Sequence, residues 1–253
     1  AHNEIIDKDE PLGTIGTTRA ETGHPVGQIF GYVHDRLFTE DDFKDVENGV
    51  LKDGVPKQTF TAKVRPGDIK YVDLDKNGFI DTYDQMAIGG TENPEIVYGF
   101  GVNLRWKELD FGAMFQGIGR TWRILSSNIM PASNKGSMYN IFDNYQDRWT
   151  VDNQSQDVFY PRADYGPNAN NSQKSTWWLR NMSFLRLKNL ELGYSCPKKW
   201  LQGFVISNAR VFVRGTNLLT FSKFNLWDPE LATGDGAKYP AMKSVSVGFD
   251  ITF

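Results

Sequence analysis

Between Lys243 and Phe253 apolar and polar residues take strict turns. Val245, Val247, Phe249, Ile251 and Phe253 hold one parity; Ser244, Ser246, Gly248, Asp250 and Thr252 hold the other. Successive side chains on a strand point to opposite faces, so this stretch predicts a strand with one apolar and one small polar face. The same pattern fills Ile96 to Gly119. Ile96, Tyr98, Phe100, Val102, Leu104 and Trp106 alternate with Val97, Gly99, Gly101, Asn103 and Arg105. Lys107-Glu108 makes a tight connection, and Leu109, Phe111, Ala113 and Phe115 then alternate with Asp110, Gly112, Met114 and Gln116. A hairpin is expected. Its first strand carries aromatics toward both ends of one face, which suits a strand that crosses a bilayer between two interfacial girdles. A long strand of a soluble sandwich shows the same alternation, although Gly99 and Gly101 would weaken a packed core.

Phe184 to Ser195 alternates with a slip: Leu185 and Leu187 keep one parity, Leu190, Leu192 and Tyr194 the other. A β-bulge near Lys188-Asn189 would reconcile them. Ala209 to Leu219 predicts the next strand, with Val211 and Val213 outward and Arg210, Arg214 and Thr216 inward. Gln28 to His34 is a further expected strand, and Ala1 to Gly23 reads as a strand end followed by a turn or loop. The expectation is six full strands and part of another. Thr39-Glu40-Asp41-Asp42 has the form of a capped helix start, with acids in the first turn. Arg120 to Met182, with Pro131, Pro161 and Pro167, has little periodicity apart from a short helix expected over Tyr139 to Thr150. Structureless stretches of that length tend to be functional. Its tryptophans, Trp122, Trp149, Trp177 and Trp178, either stack on a solute or line an interface, or cap the loop's own small core. Phe221 to Met242 is another polar loop.

The order of connections is informative. With Phe253 on the periplasmic side, Lys107-Glu108 and Cys196 to Asn208 are short periplasmic turns. Leu37 to Pro94, Arg120 to Ser183 and Phe221 to Met242 are then long external loops. That is the arrangement of outer-membrane barrels.

Composition narrows the classes. The 253 residues are 40% hydrophobic and 23% charged with a net charge of -3, and the basic residues are scattered, which gives no basis for nucleic-acid binding. Twenty-four glycines and 13% aromatics point to an all-β chain with many turns. Mean hydropathy is -0.47, and no apolar run is long enough for a membrane helix. Barrel strands would escape that test, because half their residues face the lumen. The single Cys196 excludes an intramolecular disulfide framework. No signal-peptide pattern opens the chain, so an exported protein of this kind is expected to be a later piece of a longer precursor. His24 and His34 lack partners for metal ligation and are expected at the surface.

Asp68 to Asp84, DIKYVDLDKNGFIDTYD, carries the most specific chemistry. Asp73, Asp75, Asn77 and Asp81 stand at positions 1, 3, 5 and 9 of a calcium loop, Gly78 at the turn position 6, Ile80 at 8 and Asp84 at 12. The Phe79 carbonyl completes the set. Asp in place of a bidentate Glu at position 12 should weaken or reshape binding, and no helical pattern precedes Asp73, so a full EF-hand is not expected. A calcium ion here would pin an exposed loop; the alternative is an Asp/Asn/Gly-rich turn that binds nothing. No Ser/His/Asp, Cys/His or paired-carboxylate arrangement suggests an enzyme.

PVGQIFGYVHDRLF, PGDIKYVDLDKNGFIDTYDQ, YGFGVNLRWKELDFGAMFQGIG, LRLKNLELGYSCPKKW, ARVFVRGTNLLTFSKF, WDPEL and KSVSVGFDITF together resemble the C-terminal part of SusC/RagA-type TonB-linked outer-membrane transporters. The resemblance implies an all-β fold: an antiparallel transmembrane β-barrel segment, the C-terminal strands of a 22-stranded barrel with long extracellular loops. It implies residues 1–253 as one portion of that barrel, in the outer membrane of a Gram-negative bacterium. The implied partners are the rest of the barrel and plug, a SusD-like surface lipoprotein, TonB through the plug, membrane lipid, and glycan or oligopeptide substrates. Arg105, Glu191, Arg210 and Arg214 would face the lumen, and Phe253 looks like the aromatic signal read by the barrel-assembly machinery. No plug, TonB box or signal sequence lies in these residues, and so few strands cannot close a membrane barrel alone. A secreted soluble β-domain with a calcium-stabilised loop, binding carbohydrate through exposed tryptophans, is the competing reading.

Overall fold

The computed structural model describes residues 19–125, 142–164, 166, 168–203 and 205–253. The expectations for residues 1–18, for 139–141 and for Pro131 and Pro167 fall outside these. In chain order the first strands are β1 (Gln28–Tyr32), β2 (His34–Leu37), β3 (Phe43–Asp45), β4 (Val50–Leu51), β5 (Lys57–Gln58), β6 (Ile69–Tyr71), β7 (Phe79–Ile80) and β8 (Gln85–Thr91). They are followed by β9 (Ile96–Trp106), β10 (Leu109–Gly119), β11 (Trp122–Ile124), β12 (Leu179–Asn181), β13 (Phe184–Ser195), β14 (Asn208–Ser222) and β15 (Ser244–Thr252). Among the described residues no helix is long and apolar enough to cross a membrane. The chain divides into two compact units: Ala1–Glu92 with Trp122–Arg180, and Asn93–Thr121 with Asn181–Phe253.

The second unit is one antiparallel sheet in the order β15-β14-β13-β10-β9. Its register puts every apolar parity on the same side. Trp106 pairs Leu109 and Phe100 pairs Phe115; Phe111 pairs Leu192; Leu192 pairs Val213; Val213 pairs Val247. The Phe100 and Phe115 rings stack with centroids 5.0 Å apart, the cross-strand contact that stabilises a sheet. Gly117 has no side chain because Tyr98 on the paired strand lies over it; a Cβ there would strike the Tyr98 ring. Lys107, at φ 55, turns the hairpin in two residues.

The bulge is where the slipped alternation requires it. Register shifts between Leu187 and Asn189 against both β10 and β14. One added residue in β13 lets Leu187 and Leu190 share a face although they differ in parity. Among the described residues nothing covers that face: Val245 is 69% exposed, Phe249 73% and Trp106 68%.

The six-strand expectation is corrected to five. Gln28 to His34 does not join the large sheet; β1 pairs with β8 in the first unit, and β2 pairs with β6. Val33 separates the two short strands. The first unit is built from such pairs around Tyr32, Leu37, Ile69, Tyr71, Ile80, Leu125 and Trp178, all buried. Each large apolar side chain removed from water contributes about 1.5–3 kcal/mol, enough to order a unit with little regular structure. The aperiodic stretch 142–180 is held by side-chain amides in place of a ladder. Asp68, 1% exposed, accepts from Asn168 at 3.0 Å, Asn171 at 2.9 Å and Arg162 at 3.1 Å. The Asn171 amide oxygen accepts from the Ile69 backbone at 2.8 Å, and the Trp178 indole donates to the Asn171 carbonyl at 2.7 Å. Gly67, at φ +87, lies under the Trp149 ring, which a Cβ would strike. The capped turn at Thr39 is a 3-10 turn over Glu40–Asp42, and the helix expected over 139–150 reduces, within the described residues, to a 3-10 turn at Asp143–Gln146.

Candidate functional site

The calcium-loop spacing folds as a turn between β6 and β7. Lys76 at φ 60 and Gly78 at φ 86 reverse the chain. The Gly78 amide donates to Asp73 Oδ2 at 2.8 Å, and Asn77 donates to both oxygens of Asp75, at 3.1 and 2.9 Å. A 3-10 turn at Thr82–Asp84 returns Asp84 to the loop, where its carboxylate accepts from the Leu74 amide at 2.7 Å and the Asp81 amide at 2.8 Å.

Of the four expected carboxylate ligands, three converge: one carboxylate oxygen from each of Asp73, Asp75 and Asp84 lies within 4.8 Å of the others. Asp73 Oδ1 is buried and has no hydrogen-bond partner. Burial raises the Asp84 carboxyl above its ordinary range and nearby Asp75 adds to this, while the amides of Asp81 and Leu74 pull the other way. Asp81 turns instead to cap the Tyr83 amide at 2.8 Å, and the Asn77 amide oxygen accepts from Phe79 at 2.7 Å. An orphaned oxygen among clustered carboxylates is the donor chemistry of a hard cation; Asn77, the Phe79 carbonyl and water would have to supply the remaining oxygens.

The polar face of the large sheet carries a second constellation. Arg210 on β14 donates to Asp110 on β10 through Nε at 3.0 Å and through Nη2, to Glu191 on β13 at 2.6 Å and to Asp250 on β15 at 3.3 Å. Arg214 donates to the other Glu191 oxygen at 2.6 Å. Four adjacent strands are thus crossed by one ionic network. Arg105, opposite Asp110 in the register, lines a concavity of about 840 Å³ on that face with Asn103, Glu191 and Arg214. The expected inward set is therefore on one face. Sequence reasoning did not single out Asp110 and Asp250, although their parity places them there.

It placed Asp228 and Glu230 in a polar loop without assigning them a role. At the end of the sheet where the long connections leave, Arg186, 2% exposed, pairs with Asp228 and reaches Glu230 at 3.1 Å, and Lys188 donates to Glu230 at 2.6 Å. Arg186 pairs with Gln116 as Glu191 pairs with Gly112, so the turn at Pro229–Leu231 lies against the polar face. The bulge residue Lys188 is the second anchor.

The tryptophans resolve toward the internal core. Trp178 is 1% exposed, Trp149 6% and Trp177 8%, and Trp122 is half-buried against Gly89. His34 is half-buried, its ring nitrogen 2.6 Å from the Thr176 hydroxyl, and so is not a surface residue. Phe253 lies just past β15 and is exposed.

No family model matches the chain. The TonB-dependent receptor P26 of Formosa agariphila is 32% identical over 260 residues, covering 97% of this chain and 24% of that protein. The TonB-dependent receptor SusC of Bacteroides thetaiotaomicron is 24% identical over 205 residues, 79% of this chain and 19% of SusC. Among solved structures, the RagAB peptide importer in its open-open state superposes with a TM-score of 0.63 at 25% identity, over 89% of this chain and 22% of that one. The structure of the RagAB peptide transporter shares the fold at a TM-score of 0.65 and 24% identity, over 96% and 24%. The chain spans about a quarter of the length of the relatives it matches.

Proposed function

Because the chain belongs to the SusC/RagA family of TonB-dependent receptors, we propose that it builds part of the wall and several external loops of an outer-membrane nutrient importer. The supporting observation is the large sheet: five strands share one uncovered apolar face and one ion-paired polar face. Left in water, so continuous an apolar surface is an aggregation site. Turned to hydrocarbon, it costs nothing, and the polar face then lines the lumen of a 22-stranded barrel. Its edge strands β9 and β15 would pair with strands of the same barrel, since unpaired backbone in lipid costs several kcal/mol per group.

The solutes are glycans or oligopeptides, captured with a SusD-like lipoprotein, and TonB delivers energy through the plug. Arg105, Glu191, Arg210 and Arg214 face the lumen. The Asp73–Asp84 loop holds calcium through Asp73, Asp75 and Asp84 with Asn77, Phe79 and Asp81 around them, and the ion's role is to pin the loop. The burial of Trp149, Trp177 and Trp178 weighs against the long loop as the carbohydrate-binding surface of a soluble domain.

The test is cysteine scanning of β15 in the whole receptor in cells. Val245, Val247, Phe249 and Ile251 changed to Cys should resist a water-soluble maleimide. Ser246→Cys and Asp250→Cys should react once the lumen is wetted. Equal labelling of both parities would defeat the proposal.

A further inference from the structure

At the end of the sheet opposite the long loops, two short connections lie side by side. Lys107-Glu108 joins β9 to β10, and 196–207 joins β13 to β14. They are tied together by the Ser195 amide donating to the Glu108 carbonyl at 2.8 Å. The second connection contains the helix α1 (Lys198–Leu201). Trp106 and Trp200 stand out from this rim, 68% and 59% exposed, and the Lys107 ammonium sits 5.1 Å from the Trp106 ring centroid. Three lysines, Lys107, Lys198 and Lys199, face one acid, Glu108, in these connections. None of the three has an ion-pair partner among the described residues. On the polar face of the same sheet, by contrast, Arg186, Lys188, Arg210 and Arg214 are all paired.

Unpaired ammonium groups beside exposed indoles, continuous with an uncovered apolar face, match the boundary of a bilayer whose headgroups are anionic. Indoles sit at headgroup level, and lysines at that depth meet phosphates. We propose that this rim binds anionic glycerophospholipid headgroups through Lys107, Lys198 and Lys199, with Trp106 and Trp200 seated at the carbonyl level beneath them. This rests on the membrane-spanning reading above. The site would hold the wall at fixed depth and favour phosphatidylglycerol over phosphatidylethanolamine around the short turns.

The experiment places the whole receptor in nanodiscs of phosphatidylethanolamine with phosphatidylglycerol and counts retained lipids by native mass spectrometry. Wild type should retain phosphatidylglycerol preferentially, and 0.5 M salt should erase the preference, because exposed charges are screened within a few ångströms at that strength. Lys107→Gln, Lys198→Gln and Lys199→Gln combined should lower the preference by about tenfold or more, with heat-modifiable migration confirming that the variant is folded. Equal retention of both lipids by wild type, or an unchanged preference in the variant, overturns the proposal. A receptor released from membranes by alkaline carbonate would instead defeat the membrane-spanning reading itself.

Discussion

Asp42 sits 4% exposed beneath the Arg36 guanidinium, which reaches its two oxygens at 2.6 and 2.7 Å. Burial alone would raise its carboxyl; Arg36, the Thr39 amide and Lys70 outweigh that and hold it at about 2. A folded value below the unfolded one means the stabilisation is complete above about pH 4 and lost as pH falls toward 2. It is worth on the order of 2 kcal/mol. Urea unfolding followed by tryptophan fluorescence should show that slope in wild type and lose it in Asp42→Asn; equal slopes would refute the assignment. The calcium loop is tested at the same scale. Terbium luminescence should saturate on wild type, and Asp75→Asn or Asp84→Asn should weaken it tenfold or more, since each removes one of few anionic oxygens. Chelator should speed proteolysis between Asp73 and Asp84. A wild-type protein that binds no terbium ends the proposal. The turn that gathers Asp73, Asp75 and Asp84 was legible because the spacing of a loop is written locally. The pairing of Arg210 was not, although Glu191 was expected on the same face, because its partners come from three other strands and depend on the assembled register.

Strands show the same division between local and assembled information. The hairpin β9–β10 and the bulge in β13 could be read from parity, since a face must stay apolar along its whole length. The short pairs of the first unit could not, as most of their strands are only two to four residues long and carry no period, and Gln28 to His34 looked like any barrel strand. The Asn168–Asn171 seam is invisible in the same way: asparagines in a polar loop announce no partner until Asp68 and Ile69 are brought to them. The bulge also gives the WDPE turn its anchor. Arg186 beside Asp228 holds that carboxyl below its usual range against the cost of burial. Removing one partner from a buried pair costs roughly 3–5 kcal/mol, whereas replacing both by apolar groups is near neutral. Arg186→Met should therefore lower the heat-modification midpoint of the receptor, and Arg186→Met with Asp228→Leu should recover most of it. A double variant as unstable as the single would show that the pair is not what holds the turn.

For the molecule as a whole, the decisive feature is an open sheet with two edges. Among the described residues β10, β13 and β14 each have a neighbour on both sides, while β9 and β15 have one. A strand with one neighbour leaves a row of amides to solvent, and those amides exchange at rates set by local opening. The 253-residue chain refolded in detergent should therefore protect amides in β10, β13 and β14 and exchange quickly along the outer edges of β9 and β15. In the whole receptor both edges should become as protected as the centre, because closure of a barrel removes edges altogether. Hydrogen–deuterium exchange read by mass spectrometry separates the cases peptide by peptide. Protection of β9 and β15 in the isolated chain at dilutions that exclude self-pairing would mean the five strands close on themselves. The apolar face would then be covered by protein, and the wall would not be a segment of a larger cylinder.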